Sequence, residues 1–164
     1  MANIISNDQV RELDFLRMSN GLTSVFIDTI CLAGRDLAAE DFQKDLMIWF
    51  AQRDARLMGQ GITGFDLVEI AWERSIFPQQ KEFLLDVLQL ALAKKNWEYL
   101  GYHPREEWVL ENLAGFKRML GEFEGQHIEE SSQDSLIPFA GKYQKCQKHG
   151  IYLHVAGCVI CNNS

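Results

Sequence analysis

The sequence predicts a mainly α protein: a bundle of about five helices with a small zinc-bound β-hairpin at its C-terminal end. Three observations carry this. Apolar residues recur at helical spacing through most of the first 124 positions. Pro78 and Pro104 stand where a proline opens a helix, since the first turn needs no amide donor from that residue. The last 23 residues hold three of the four cysteines, in the order C-x2-H-x8-C-x2-C.

Taken in order, Ser6 with Gln9 three residues on reads as a capping box opening a first helix with Val10, Leu13 and Leu16. Asn20-Gly21 should break or bend it. Leu22, Val25, Phe26, Thr29, Ile30 and Ala33 then repeat at helical spacing to Gly34. A third helix is expected over residues 39–58, with Phe42, Leu46, Trp49, Phe50 and Leu57 as its stripe. The fourth, from Pro78, is apolar nearly all round between Phe83 and Leu92 and should therefore lie centrally. The fifth, from Pro104, steps by four and three through Val109, Leu113, Phe116, Leu120 and Phe123.

Between the third and fourth helices, Gly59-Gln60-Gly61-Ile62-Thr63-Gly64 spells G-x-G-x-x-G. A dinucleotide loop needs a strand before it and a helix opening at it; here a helix precedes it, so a turn is expected. Residues 65–72 fit either a short helix or a strand. Gly125, Glu129-Glu130 and the run Ser131 to Ser135 read as a linker, with Leu136, Ile137 and Phe139 able to pin its end to the helices. The expected units are an acidic helical domain over 1–124, a linker over 125–141 and a zinc hairpin over 142–164. A body of 124 residues is large enough to need no staple.

The tail carries the clearest chemistry. Cys146, His149, Cys158 and Cys161 supply three thiolates and an imidazole, a complete tetrahedral shell for structural Zn²⁺. Two residues between paired ligands let one tight turn aim both at one ion, and Gly150 and Gly157 supply the backbone freedom such turns need. Ile151 to Val155 alternates like a strand, with Tyr152 and His154 on the opposite side from Ile151, Leu153 and Val155. His149 is favoured over His154 as ligand because C-x2-H matches the turn. The segments Cys146-Gln147-Lys148-His149-Gly150 and Cys158-Val159-Ile160-Cys161 resemble the two knuckles of zinc-ribbon and treble-clef modules. The resemblance covers about the last 20 residues, with His in the second ligand slot and a short spacer. A catalytic zinc site keeps a position open and usually has a carboxylate nearby, whereas residues 142–164 contain neither Asp nor Glu. Cys31, in an apolar helical stretch, reads as an inert core thiol.

Charge divides unevenly. The tail has Lys142, Lys145 and Lys148 and no acid, which leaves residues 1–141 with 13 basic and 23 acidic groups, net −10. Such a body repels phosphate and attracts cations. Asp36, Glu40, Asp41 and Asp45 form one acidic grouping; Asp66, Glu69 and Glu73 form another and would share a face if their segment were helical. No H-E-x-x-H, G-x-S-x-G or paired Glu-x-x-His accompanies them, so no catalytic residues are assigned. No apolar run approaches a membrane span and no secretory leader is recognisable, so a cytoplasmic protein with reduced thiols is expected.

The function these features point to is a non-enzymatic bacterial binding protein with a structural zinc. An acidic inhibitor or immunity-type protein capping a basic partner, such as a nuclease toxin, fits best, with Asp66, Glu69 and Glu73 at the contact. The alternative is a nucleic-acid-associated or regulatory adaptor that uses the basic hairpin. Oligomeric state is not readable from the sequence.

Overall fold

The N-terminal segment pairs as a β-hairpin where its apolar spacing predicts a helix. The computed structural model describes residues 2–56, 59–128 and 139–163. In it β1 (Ala2–Ser6) runs antiparallel to β2 (Phe15–Ser19), with Ile5 opposite Leu16. Ser6 does not cap a helix; its hydroxyl donates to Asp66 Oδ2 at 2.7 Å. Ile5 and Met18 point into the core, whereas Leu13, placed on the expected helical stripe, is 78% exposed at a positive φ of 63°. Leu13 therefore belongs to the connecting turn, which the Asn7 N–H closes by donating to Asp14 O at 2.9 Å. The two-residue β3 (Phe65–Asp66) adds parallel to β1, giving the order β2-β1-β3.

Asn20-Gly21 opens α1 (Asn20–Gly34) instead of breaking a helix, because Ser19 caps it by accepting from Leu22 N at 3.1 Å. Every residue from Phe26 to Gly34 is buried, so α1, not the fourth predicted helix, occupies the centre. Small residues permit this: a Cβ on Gly34 would lie 2.1 Å from Met47 Sδ. Then α2 (Asp41–Ala51) starts from a Glu40/Gln43 capping box and stops well short of 58. The chain turns back there, with Asp54 bridged to Ile62 and Thr63 N donating to Arg53 O at 2.8 Å. Leu57 of the expected stripe lies outside the described residues.

The glycine-rich stretch is that turn. Gly64 is demanded by packing, since a Cβ there would meet Ile4 O at 2.1 Å. Residues 65–72 form β3 and a single 3₁₀ turn, Leu67–Glu69. Helix α3 (Phe77–Leu92) has Pro78 in its first turn, and α4 (Glu106–Glu122) follows Pro104 and buries Val109, Leu113, Phe116 and Leu120, as expected. On α3, Glu82, Asp86 and Gln89 face solvent. The ring of Phe116 meets Phe26, Phe50 and Phe65 edge-on at centroid distances of 5.5, 6.1 and 5.9 Å, joining α4, α1, α2 and the sheet.

The fifth helix, α5 (Val159–Asn163), lies in the tail. Ile151 to Val155 shows isolated bridges, Lys145 to Tyr152 and His154 to Gly157, in place of a continuous strand. Ile151, Tyr152 and His154 are all buried and Val155 is exposed, which departs from the expected two-sided alternation. The reason is docking: Ile151, Val159 and Ile160 belong to the same buried cluster as α1. Glu129, Glu130, Ser131 to Ser135, Leu136 and Ile137 lie outside the described residues, and Phe139 packs partly buried against the core. Among the described residues no helix is long and apolar enough to cross a membrane.

This packing alters what truncation should do. Three fully buried aliphatic side chains, Ile151, Val159 and Ile160, leave the core when the tail is removed. At about 1.5–3 kcal/mol each, a 1–124 fragment should be less stable than the whole chain by more than about 4 kcal/mol, read from urea denaturation midpoints. Equal midpoints would show that the tail contributes nothing to the core.

Candidate metal centre

Cys146 and His149 come together through one turn. Gly150, at φ +72°, donates its amide to Cys146 O at 2.8 Å, and the Cys146 amide donates to Ile151 O at 2.8 Å. Gly157, at φ +100°, reverses the chain just before Cys158. Cys161 then sits on α5, where its amide donates to Cys158 Sγ at 3.4 Å.

All four ligand atoms lie within 4.8 Å of one another. His149 Nδ1 is 3.7, 3.5 and 3.3 Å from the sulfurs of Cys146, Cys158 and Cys161, and Cys146 Sγ is 3.7 Å from Cys161 Sγ. Metal–sulfur bonds of about 2.3 Å and metal–nitrogen bonds of about 2.0 Å imply tetrahedral edges of roughly 3.8 Å between sulfurs and roughly 3.5 Å between sulfur and nitrogen. The three sulfur–nitrogen edges and the Cys146–Cys161 edge lie close to these values, so the cluster is compatible with a metal ion such as zinc. Burial pushes the Cys158 thiol up to about 12, with the Cys146 thiol adding to it. Burial also raises Cys146, but backbone amides of His149 and Lys148 more than offset this and hold it below the ordinary thiol range. A dication would supply the charge that lets all three thiols ionise. Burial, helped by Lys148, keeps the His149 imidazole neutral and able to ligate.

His154 is a different group. Its Nδ1 accepts from Ala156 N at 3.4 Å, which leaves Nε2–H to donate to Asp54 Oδ2 at 3.2 Å. Both residues are buried, Asp54 at 5% and His154 at 2% exposure. Asn162 Nδ2 donates to the same oxygen at 2.9 Å, and Arg56 N reaches Oδ1 at 3.2 Å. Burial lowers the His154 pKa against the opposing effect of Asp54, so the contact is a hydrogen bond from a neutral ring. This seam ties the tail to the turn after α2.

On the other side, Asp45 Oδ1 takes Lys142 Nζ at 3.2 Å and the Tyr143 hydroxyl at 2.8 Å. Lys145 Nζ donates to Arg35 O at 2.9 Å, and Arg35 Nη1 donates to His149 O at 2.6 Å.

Asp66, Glu69 and Glu73 would share a face only on a helix, and their segment forms a strand and a 3₁₀ turn instead. Asp66 caps the 3₁₀ turn: its carboxylate accepts from Val68 N at 3.0 Å, Asp8 N at 3.1 Å and the Ser6 hydroxyl. Glu69 Oε2 accepts from Asp66 N at 2.6 Å, completing the reciprocal box. Glu73 lies beyond the turn, exposed. In the other grouping Asp36 meets Arg35 Nε at 3.3 Å and Asn96 Nδ2 at 3.2 Å, so it too is held within the fold.

Sequence reasoning also passed over a buried acid. Asp28, in the middle of α1, has 0% exposure. It accepts from the Tyr102 hydroxyl at 3.1 Å through Oδ2, while Oδ1 and the nearby Asn163 Nδ2 are buried and make no geometrically sound hydrogen bond among the described residues. Burial, opposed by Tyr102 and Asn163, drives its pKa up from 3.8 to about 7. The available signal was a charge in the otherwise apolar run Val25 to Ala33. Cys31, one turn on, is buried with its thiol pushed up by burial, as an inert core thiol should be. No family profile matches the chain, and no curated protein or solved structure is significantly similar to it.

Proposed function

We propose that the chain is a non-enzymatic binding protein whose tail holds one structural Zn²⁺ and whose acidic body engages a cationic protein partner. The observation that carries the first part is the donor set: three sulfurs and one nitrogen within 4.8 Å of one another offer the four ligands that a four-coordinate ion needs. Thiolate-rich sets of this geometry select zinc among abundant divalent ions. A knuckle at Cys146–His149 followed by a bridged turn and a short helix carrying Cys161 supports the treble-clef form of the resemblance. With no coordination position left, the ion has no place for a substrate, and Asp28, Asp54 and His154 are too deeply buried to meet one.

The net −10 of residues 1–141 supports a cationic partner, as an inhibitor or immunity-type protein has in a basic toxin. The adaptor reading loses ground because Lys142 and Lys145 bond to the body at Asp45 and the Arg35 carbonyl. Asp66 and Glu69 are poor probes of binding because reversing them breaks a cap. Glu73, Glu107 and Glu111 are exposed and suit the purpose. Protein purified without chelator should contain one zinc per chain by elemental analysis. It should also bind an oligo-arginine peptide in preference to an RNA duplex. The association rate should fall at least about tenfold as salt is raised from low to several times physiological strength. Joint reversal of Glu73, Glu107 and Glu111 should slow it further. RNA binding without peptide binding would overturn the partner assignment in favour of the adaptor, and absence of zinc would overturn the structural site.

A further inference from the structure

We infer that Arg35 is the positioning residue of the metal centre, setting His149 from the helical body so that metal affinity depends on how the tail is docked. The inference rests on the reading that the four tail ligands hold a metal. Arg35 follows the last residue of α1, and its side chain is anchored at several points. Nε donates to Asp36 Oδ2 and Nη2 to Asn96 Oδ1, each at 3.3 Å, and the guanidinium lies 4.1 Å from the Tyr99 ring centre. Asn96 is itself fixed, since its Nδ2 donates to Leu32 O at 3.0 Å. A guanidinium held at Nε and Nη2 has its remaining fork arm aimed in one direction. That arm, Nη1, meets the carbonyl of a ligand residue, His149, at 2.6 Å.

The other half of the site is anchored independently. Cys158 and Cys161 are held by the buried Val159 and Ile160 and by Asn162 on Asp54. The metal has to bridge these two halves. Fixing the His149 carbonyl fixes the peptide that follows the imidazole, and so the direction in which Nδ1 meets the three sulfurs. Gly150 makes the approach possible, because a Cβ there would stand 2.7 Å from Nη1. Charge acts in the same sense: three thiolates, a neutral imidazole and a dication sum to −1, which a guanidinium beside the knuckle offsets.

The test uses Co²⁺ alone as the probe on the whole chain, reading affinity by chelator competition and geometry from the visible ligand-field bands. Arg35→Ala should weaken Co²⁺ binding roughly 10–100-fold, the effect typical of losing a group that orients a ligand, and should alter the bands. Arg35→Lys should recover part of the affinity, since one ammonium reaches the carbonyl without the fork. Leu113→Ala, in the core of α4, should lower the unfolding midpoint and leave Co²⁺ affinity within about threefold. If Arg35→Ala fails to fold by circular dichroism, Arg35→Lys and Arg35→Gln carry the comparison. Binding by the Arg35 variants within threefold of the native chain, or an equal loss in Leu113→Ala, would overturn the inference while leaving the metal site standing. No Co²⁺ binding by the native chain would overturn the site itself.

Discussion

Replacing Cys158 by serine should release the metal and loosen the tail, with a loss of stability as large as that of the costliest single core truncation in the body. Cys158 is buried, 3.5 Å from His149 Nδ1, and lies between a positive-φ glycine and α5. Serine removes one of three sulfur donors, and the remaining set binds zinc far less tightly. Because the unfolded chain has no preformed site, binding energy at such a centre is folding energy, about 10–16 kcal/mol in isolated zinc modules. Here the tail also has apolar docking onto α1 and the Asp54 seam, so the loss should be smaller, on the order of 5 kcal/mol. A strong chelator should reproduce the loss in the native chain and add nothing in the Cys158→Ser variant. That non-additivity separates metal loss from simple damage at residue 158. An unchanged urea midpoint in both experiments would mean that the four residues are held together without an ion.

What was legible beforehand follows from how local each signal is. The clustering of Cys146, His149, Cys158 and Cys161 could be read because C-x2-H and C-x2-C are short-range geometries that any tight turn satisfies. Helices α3 and α4 could be read because a proline marks each start. The β-hairpin could not, since its strands are five residues each and Val10, Leu13 and Leu16 mimic a helical stripe. Only the long-range burial of Ile5 and Met18 and the positive φ of Leu13 separate the two. The central place of α1 was hidden for a related reason: Thr29, Cys31, Ala33 and Gly34 look weakly hydrophobic, yet their small size lets neighbouring helices close in. Arg35 and Asp54 escaped notice because their partners stand 114 positions away at His149 and 100 away at His154. No periodicity reports a contact of that span.

The pH dependence of stability should carry the signature of Asp28. Its folded pKa of about 7 lies above the ordinary 3.8, so the native state holds a proton that the unfolded chain gives up. Stability from this group is fully present below about 4 and is lost as pH rises towards the folded value. The full shift corresponds to about 4 kcal/mol, of which roughly 2–3 kcal/mol should be lost between pH 5 and 8. His154 works the other way. Its pKa is lowered by burial, so protonation below its unfolded value favours unfolding and stability rises with pH through that window. Metal ligation also strengthens with pH as the thiols ionise, so the native profile alone mixes three effects. Asp28→Asn isolates one of them, because the variant keeps His154 and the metal centre and replaces the acid with a neutral group of the same shape. The Tyr102 hydroxyl can still donate to the amide oxygen. The new amide donor, placed where Oδ1 has no hydrogen-bond partner among the described residues, costs about 1–3 kcal/mol at every pH if it stays unsatisfied. The quantity to compare is therefore the slope. From urea midpoints at pH 5 and pH 8, the native chain should lose roughly 2–3 kcal/mol relative to Asp28→Asn. Parallel profiles would show that Asp28 ionises alike in both states, and the buried carboxyl would then have to be charged inside the core.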